Sequence, residues 1–344
     1  MSFLCAFFDN LRKKIACRPK PRRILTILKI LPAAVIAVAC VLYLCHNLDT
    51  ARFLRILGLL PLPAYPAFAL IFACTALPQG LRLRLLLKNS CSPLLAVRAV
   101  FLGSGVNMIL PARMGDLIKA VYLSINAGLS FPETLCAIFW ERLSDLTTVL
   151  FLALVAGLWL NSPALYLSAL ILPAILICAL VMVRLFQDFC RKCVSLLPWS
   201  TLRAHINSIL TRLTDKKFRP APGKILALSL LLWSAQVLCN SIVFAAFHQN
   251  ASVPAAGLLL TVAGAIGAMI PGLPGNLGTF EASIVAALSL AGMNKSESLA
   301  FALILHLAQT APAVLFAVYA ALRGQWSLAE ARKIFFQEEE NLHE

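Results

Sequence analysis

Charge is scarce in this chain of 344 residues: 13% are charged, while 60% are hydrophobic. That balance excludes a water-soluble domain of useful size, because one soluble core cannot hide so much apolar surface. The signatures of soluble chemistry are missing as well. There is no Ser nucleophile elbow, no HExxH, no P-loop and no soluble nucleotide-binding domain, so neither an enzyme nor ATP-driven work by this chain alone is expected. The 11 cysteines form an odd set without the regular spacing of a disulfide scaffold, and most, such as Cys40, Cys74, Cys136 and Cys239, sit in apolar stretches as small fillers. Cys190 and Cys193 make a lone CxxC with no second pair or His cluster, so no metal and no cofactor are expected. Aromatics do not interleave with the basic residues as in RNA-binding modules. The formal charge of +15 therefore points to anionic lipid headgroups and not to nucleic acid.

What the chain does have is long uncharged apolar runs: Leu31 to Cys45, Leu146 to Leu160, Ile225 to Ala246 and Leu299 to Leu322. Each approaches the roughly 20 residues a helix needs to cross about 30 Å of hydrocarbon, and none alternates as a barrel strand does. Residues 1–24 carry Phe3, Leu4, Phe7, Phe8 and Leu11 at helical spacing ahead of a basic run, which reads as an interfacial segment and not a cleaved signal. The basic run from Arg12 to Lys29 places this end in the cytoplasm. Span one then runs outward over about 27–46, and span two returns over about 61–80 to a cytoplasmic loop holding Arg82, Arg84 and Lys88. The interval 184–224 carries nine basic residues against Asp188 and Asp215, so it is a second cytoplasmic loop. Its Leu202, Ile206, Ile209, Leu210 and Leu213 form one helical stripe, as in a helix lying on the membrane surface. With residues 323–344 as a cytoplasmic tail, the expected molecule is a multi-pass protein of the cell membrane with both termini inside.

Between the two cytoplasmic loops an even number of crossings is required, yet three apolar segments are present, 93–111, 132–160 and 163–184. The first is interrupted by Arg98, Gly103, Gly105, Asn107 and Pro111, so residues 93–128 are expected to form a re-entrant hairpin from the cytoplasmic side. In the second half, Ile270-Pro-Gly-Leu-Pro-Gly-Asn-Leu-Gly278 breaks any continuous helix, which makes 253–292 a second hairpin, entering from outside. The two are related in sequence. Pro111-Ala-Arg-Met-Gly115 aligns with Pro274-Gly-Asn-Leu-Gly278, Ala127-Gly128 with Ala291-Gly292, Glu133 with Glu297, and Arg142 with His306. The expected fold is thus an all-α polytopic membrane bundle, residues 25–322, of about six spans with an inverted repeat containing two re-entrant hairpins. Such repeats are how many secondary transporters open alternately to two sides.

Ionisable groups inside a bilayer are costly unless paired or hydrated, so those within the apolar segments are the candidate functional residues. Arg113, Asp116 and Lys119 follow the first break on roughly one helical face, two cations beside one carboxylate, and could hold an anion such as phosphate. Glu141, Arg142 and Asp145 open the next span, with Arg142 the residue expected in the bundle interior. The turn Gly275, Asn276, Gly278 leads into an apolar helix whose free N–H groups favour an anion, and Glu281 beyond it is either a proton carrier or a counterion to Arg113 or Arg142. His306 occupies the position matching Arg142.

At Asn107-Met-Ile-Leu-Pro-Ala-Arg-Met-Gly-Asp-Leu-Ile-Lys119, Glu141-Arg-Leu-Ser-Asp145 and Pro271-Gly-Leu-Pro-Gly-Asn-Leu-Gly-Thr-Phe-Glu281 the chain resembles the transmembrane region of lysylphosphatidylglycerol synthases, a flippase-like family also found as free-standing membrane proteins. The usual pattern has Pro-Gly-Arg, then Gly-Glu, then Arg, where this chain has Ala112, Asp116 and Lys119, and a basic residue, commonly Arg, where His306 stands; the sign of charge is kept at each. The synthases continue into a large soluble aminoacyl-transfer domain, whereas only about twenty polar residues follow the last span here. The resemblance therefore implies translocation without synthesis, of a membrane phospholipid or lipid-linked phosphate headgroup. A small polar solute as cargo, or a non-transporting partner of a lipid-modifying enzyme, are the alternative expectations.

Overall fold

The computed structural model describes residues 39–46, 48–58, 64–110, 113–159, 222–247, 253–270 and 273–324, with isolated positions at 36, 161, 167, 170 and 207. Most of span one, the N-terminal segment, the segment 163–184, the loop 184–224 with its Cys190 and Cys193, and the tail lie outside the described residues. Every described element is helical: α1 (Thr50–Gly58), α2 (Ala64–Leu86), α3 (Pro93–Ile109), α4 (Met114–Ala127), α5 (Phe131–Trp159), α6 (Pro222–Phe247), α7 (Val253–Met269), α8 (Thr279–Leu290) and α9 (Lys295–Arg323). A single 3-10 turn, Pro274–Asn276, stands between α7 and α8.

Among the described residues four helices, α2, α5, α6 and α9, are long and apolar enough to cross a bilayer. α3 and α7, at 17 residues each, reach about 26 Å and fall short of a full hydrocarbon core. Prolines set where they stop. Leu110, before Pro111, leaves α3 with extended backbone (φ −106, ψ 143), and Leu273, beyond the end of α7 at Met269, is held extended before Pro274 (φ −64, ψ 166), as the ring of a following proline requires. Past each break the chain reverses, so that α4 packs back on α3 and α8 on α7. Left-handed glycines then end the second arms: Gly128 at φ 65 and Gly292 at φ 83.

Helices α2 to α5 have 23, 17, 14 and 29 residues, and α6 to α9 have 26, 17, 12 and 29. Packing follows the same order in both halves. α2 lies on α3 as α6 lies on α7, and the long helix of each half packs on the first arm of the other, α5 on α7 and α9 on α3. Among the described residues the two largest apolar cores divide between the halves. One gathers Leu83, Leu87, Leu102, Tyr122 and Leu123 from the first half; the other gathers Leu260, Phe280, Ile284, Phe301 and Leu305 from the second. Glycines permit the closest approaches. A Cβ on Gly105 would lie 2.5 Å from the Ala313 carbonyl oxygen of α9, and one on Gly115 would run into that of Gly103.

The second span does not stop near residue 80 but continues to Leu86, which takes Arg82 out of the expected loop and into the bundle, 0% exposed. The helix can carry a cation to that depth because acidic partners await it on α5.

Candidate functional site

The first break is held by side chains from both arms. Asn107, near the end of α3, accepts the Gly115 N–H on its Oδ1 at 2.8 Å, capping α4 from across the break. Arg113 takes the left-handed conformation (φ 54) just before α4. Its guanidinium stays exposed and donates from Nη2 to the Ala268 carbonyl of α7 at 2.8 Å. One arginine at the tip of the first hairpin thus reaches the end of the second hairpin's first arm.

Behind Arg113 lies a network of three cations and three carboxylates. Lys119, 1% exposed, donates to Glu141 Oε2 at 2.8 Å, and Glu141, itself fully buried, also accepts from Gln79 at 3.0 Å. Arg82 lies 2.8 Å from Asp145 and donates to Ser229 of α6 at 2.8 Å. Arg142 grips Asp116 through two bonds, 3.0 and 2.6 Å, and lies 3.3 Å from Asp145. Trp233 of α6 closes the set with a 3.2 Å bond to Asp145. Charges in the network cancel, which is the condition for burying Arg82, Lys119 and Glu141 fully while Asp116, Arg142 and Asp145 stay part-exposed at its edge. Arg113 stands within the field of Arg142, Asp116 and Asp145 and adds one positive charge beyond that balance.

The second hairpin builds its tip differently. Gly275 has φ 69 and Asn276 φ 60, and a Cβ on Gly275 would meet the Met108 carbonyl oxygen at 2.8 Å. The two hairpin tips are therefore in contact. Gly278 precedes α8 and donates its N–H to Glu281 Oε2 at 2.7 Å. The other carboxylate oxygen lies 2.5 Å from His306 Nδ1 on α9, with the Phe280 ring against the imidazole at 4.7 Å. Beyond His306, Gln309 donates to Asn240 of α6, which also accepts from Gln236 and donates to Thr261.

The sequence candidates divide into three groups. Arg113, Gly275 and Asn276 lie at the junction of the hairpin tips. Asp116, Lys119 and Arg142 form the ion network with Glu141 and Asp145, and Lys119 is committed to Glu141 with no surface to offer a ligand. Gly278, Glu281 and His306 form a separate pair site; Glu281 is bound to His306, not to Arg113 or Arg142. Sequence reasoning missed Arg82, Gln79, Ser229 and Trp233. The α6 residues were discoverable, since 229, 233, 236 and 240 repeat at helical spacing as the polar stripe of an otherwise apolar helix.

A family model for the lysylphosphatidylglycerol synthase TM region matches residues 30–317. The chain belongs to that family, and its apolar helices make it a multi-pass membrane protein of lipid-related kind. No curated protein matches it.

Proposed function

We propose that this member of the lysylphosphatidylglycerol synthase TM family is a flippase-like transporter that moves an anionic phospholipid or lipid-linked phosphate headgroup across the cell membrane, with both termini in the cytoplasm. Arg113 carries the reading. It is exposed, it lies where the two hairpins touch, and its charge is not cancelled by the network behind it. A phosphodiester supplies the one negative charge that the site lacks, and a guanidinium can hold two of its oxygens at once. Arg142, whose side chain is 34% exposed, and Asn276 stand as further donors. The acyl chains stay in lipid, beside the exposed apolar residues that the outer helices present, such as Leu158, Leu238 and Leu315.

Movement between the two faces follows from reading the halves as an inverted repeat with two re-entrant hairpins. Equal 29-residue helices, α5 and α9, support it, as do paired left-handed positions at Arg113 and Asn276 and at Gly128 and Gly292. The reciprocal packing of α5 on α7 and α9 on α3 supports it too. In this reading the hairpins enter from opposite sides and the tips meet near the midplane, where rocking of one half against the other exposes Arg113 to each side in turn.

The test is reconstitution in liposomes with fluorescent phosphatidylglycerol on both leaflets and a membrane-impermeant quencher outside. Loss of signal beyond the outer-leaflet half, absent from protein-free liposomes, is the expected result. A soluble polar solute moving while no lipid moves would make the protein a solute transporter instead.

A further inference from the structure

Each second arm carries an acidic residue one turn from its start, Asp116 in α4 and Glu281 in α8, and each is bonded to a basic residue on the following 29-residue helix, Arg142 in α5 and His306 in α9. Phe131 and Lys295 begin those helices, so Arg142 and His306 occupy the same position from the start of each. The two locks are alike in place and unlike in chemistry. Arg142 holds its charge at every physiological pH, so its lock with Asp116 is permanent. An imidazole ordinarily changes charge between pH 5 and 8, so the lock with Glu281 has two states.

Glu281 is 2% exposed and His306 8%. A nitrogen and a carboxylate oxygen 2.5 Å apart hold a proton between them. With Nε2 empty the pair carries one net negative charge; with a proton there it becomes a neutral ion pair, the equal of Asp116 with Arg142. Among the described residues no other charged group competes nearby, and the Cys239 thiol of α6 lies in the same apolar core. α8 has no second titratable residue, and α7, packed on it, has none. On α9, Lys295 and Glu297 lie in the first turn, and Tyr319 and Arg323 at the far end. α3 runs antiparallel to α9, with Phe101 on Phe316 and Met108 at Thr310, which puts Arg98 at the far end as well. On α2, Arg82 is held by Asp145 and Arg84 by the Cys91 carbonyl; on α1, Arg52 is held by Glu297 and Arg55 is exposed; Tyr43, His46 and Asp49 ahead of α1 meet Lys295 and Ser296 in the first turn of α9.

We infer that Glu281 and His306 form a proton site coupled to the lipid site: His306 takes up one proton from water at Nε2 when an anionic headgroup binds, and returns it when the headgroup leaves. This rests on the flippase reading. A pair with net negative charge at the second hairpin opposes an incoming phosphodiester, and neutralising it removes that opposition, so the two ligands favour each other. The coupling gives the transporter an energy source in a proton gradient, with one proton accompanying one phosphodiester charge.

The experiment measures proton uptake directly. Full-length protein in uncharged detergent, weakly buffered near pH 6.5 with an indicator dye, receives phosphatidylglycerol or net-neutral phosphatidylcholine, while brominated analogues report binding by quenching tryptophan. The expected result is uptake approaching one proton per protein on phosphatidylglycerol binding and none with phosphatidylcholine. His306→Arg, which makes the lock permanent, should bind phosphatidylglycerol and take up no proton; where the arginine impairs folding, His306→Gln combined with Glu281→Gln removes both proton acceptors and the negative charge, and should likewise bind and take up none. Binding of phosphatidylglycerol by the wild type without proton uptake overturns the coupling and leaves the flippase reading standing. Uptake that persists unchanged in both His306 variants assigns the proton elsewhere and also overturns it. Absence of phosphatidylglycerol binding defeats the flippase reading, and the coupling with it.

Discussion

Gly275 lies so close to Met108 that a single methyl group would bring its carbon within 2.8 Å of the Met108 carbonyl oxygen. This is the direct contact between the tips of the two hairpins, and it joins backbone to backbone. Gly275 also holds φ 69, a conformation that disfavours any side chain. Gly275→Ala therefore meets two obstacles: about 1–2 kcal/mol for the left-handed backbone and about 1–3 kcal/mol for overpacking. We expect a lower melting temperature together with loss of lipid movement. Unchanged melting and transport would mean that the tips do not touch.

Arg113→Ala removes the charge that stands beyond the balanced network and should reduce phosphatidylglycerol movement to the protein-free rate. Arg113→Lys keeps the charge but loses the two-pronged geometry, and a partial rate is expected. Both variants should express normally, because Arg113 is exposed and its described bond is to one carbonyl. An Arg113→Ala protein that moves lipid at the wild-type rate would remove the anion role from this residue.

Lys119 offers the opposite case. Its sequence neighbours make it look like a second phosphate ligand, yet it is buried against Glu141. Lys119→Met should cost about 3–5 kcal/mol by leaving a buried carboxylate short of a partner. Lys119→Met combined with Glu141→Gln should recover part of that loss, and the double variant should still bind phosphatidylglycerol. Chemical denaturation in detergent measures the first effect and tryptophan quenching the second. Loss of binding in a stable double variant would return Lys119 to the lipid site.

Much of the architecture was legible because its causes are local. Pro111 and the Pro-Gly run before Gly278 each forbid a continuous helix, and the packed helix pairs on either side of them, α3 with α4 and α7 with α8, run to the left-handed Gly128 and Gly292. The all-helical fold and its apolar spans follow from composition in the same way. Partners were not legible, because they depend on distance in space. Arg82 looked like a loop cation at the end of a span, and only the approach of α5 shows that Asp145 waits for it one layer inside. Glu281 read as either a proton carrier or a counterion to Arg113 or Arg142, and helix α9 brings His306 to it instead of either arginine. The correspondence of Arg142 with His306 was visible in sequence; that of Asp116 with Glu281 was hidden by a shift of two residues after the shared glycines Gly115 and Gly278.

Orientation gives the last prediction, because the whole reading of opposed halves depends on it. The turn between α2 and α3 carries Lys88, and the positive-inside rule assigns it to the cytoplasm. α8 ends at Leu290, 89% exposed, and the turn that follows leads into α9 beside Arg52 and Glu297. If the second hairpin enters from outside, this turn is extracellular. A cysteine placed at Lys88 in a cysteine-free background should react with a membrane-impermeant maleimide only after the cells are opened. A cysteine at Leu290 should react in intact cells. Both side chains lie outside the protein's own packing, and labelling of both by a membrane-permeant maleimide makes failure to react with the impermeant one a report of the side of the membrane. Labelling of Leu290→Cys only in opened cells would put both hairpins on one side, and the halves would then be a parallel pair with no route for Arg113 to face the outside.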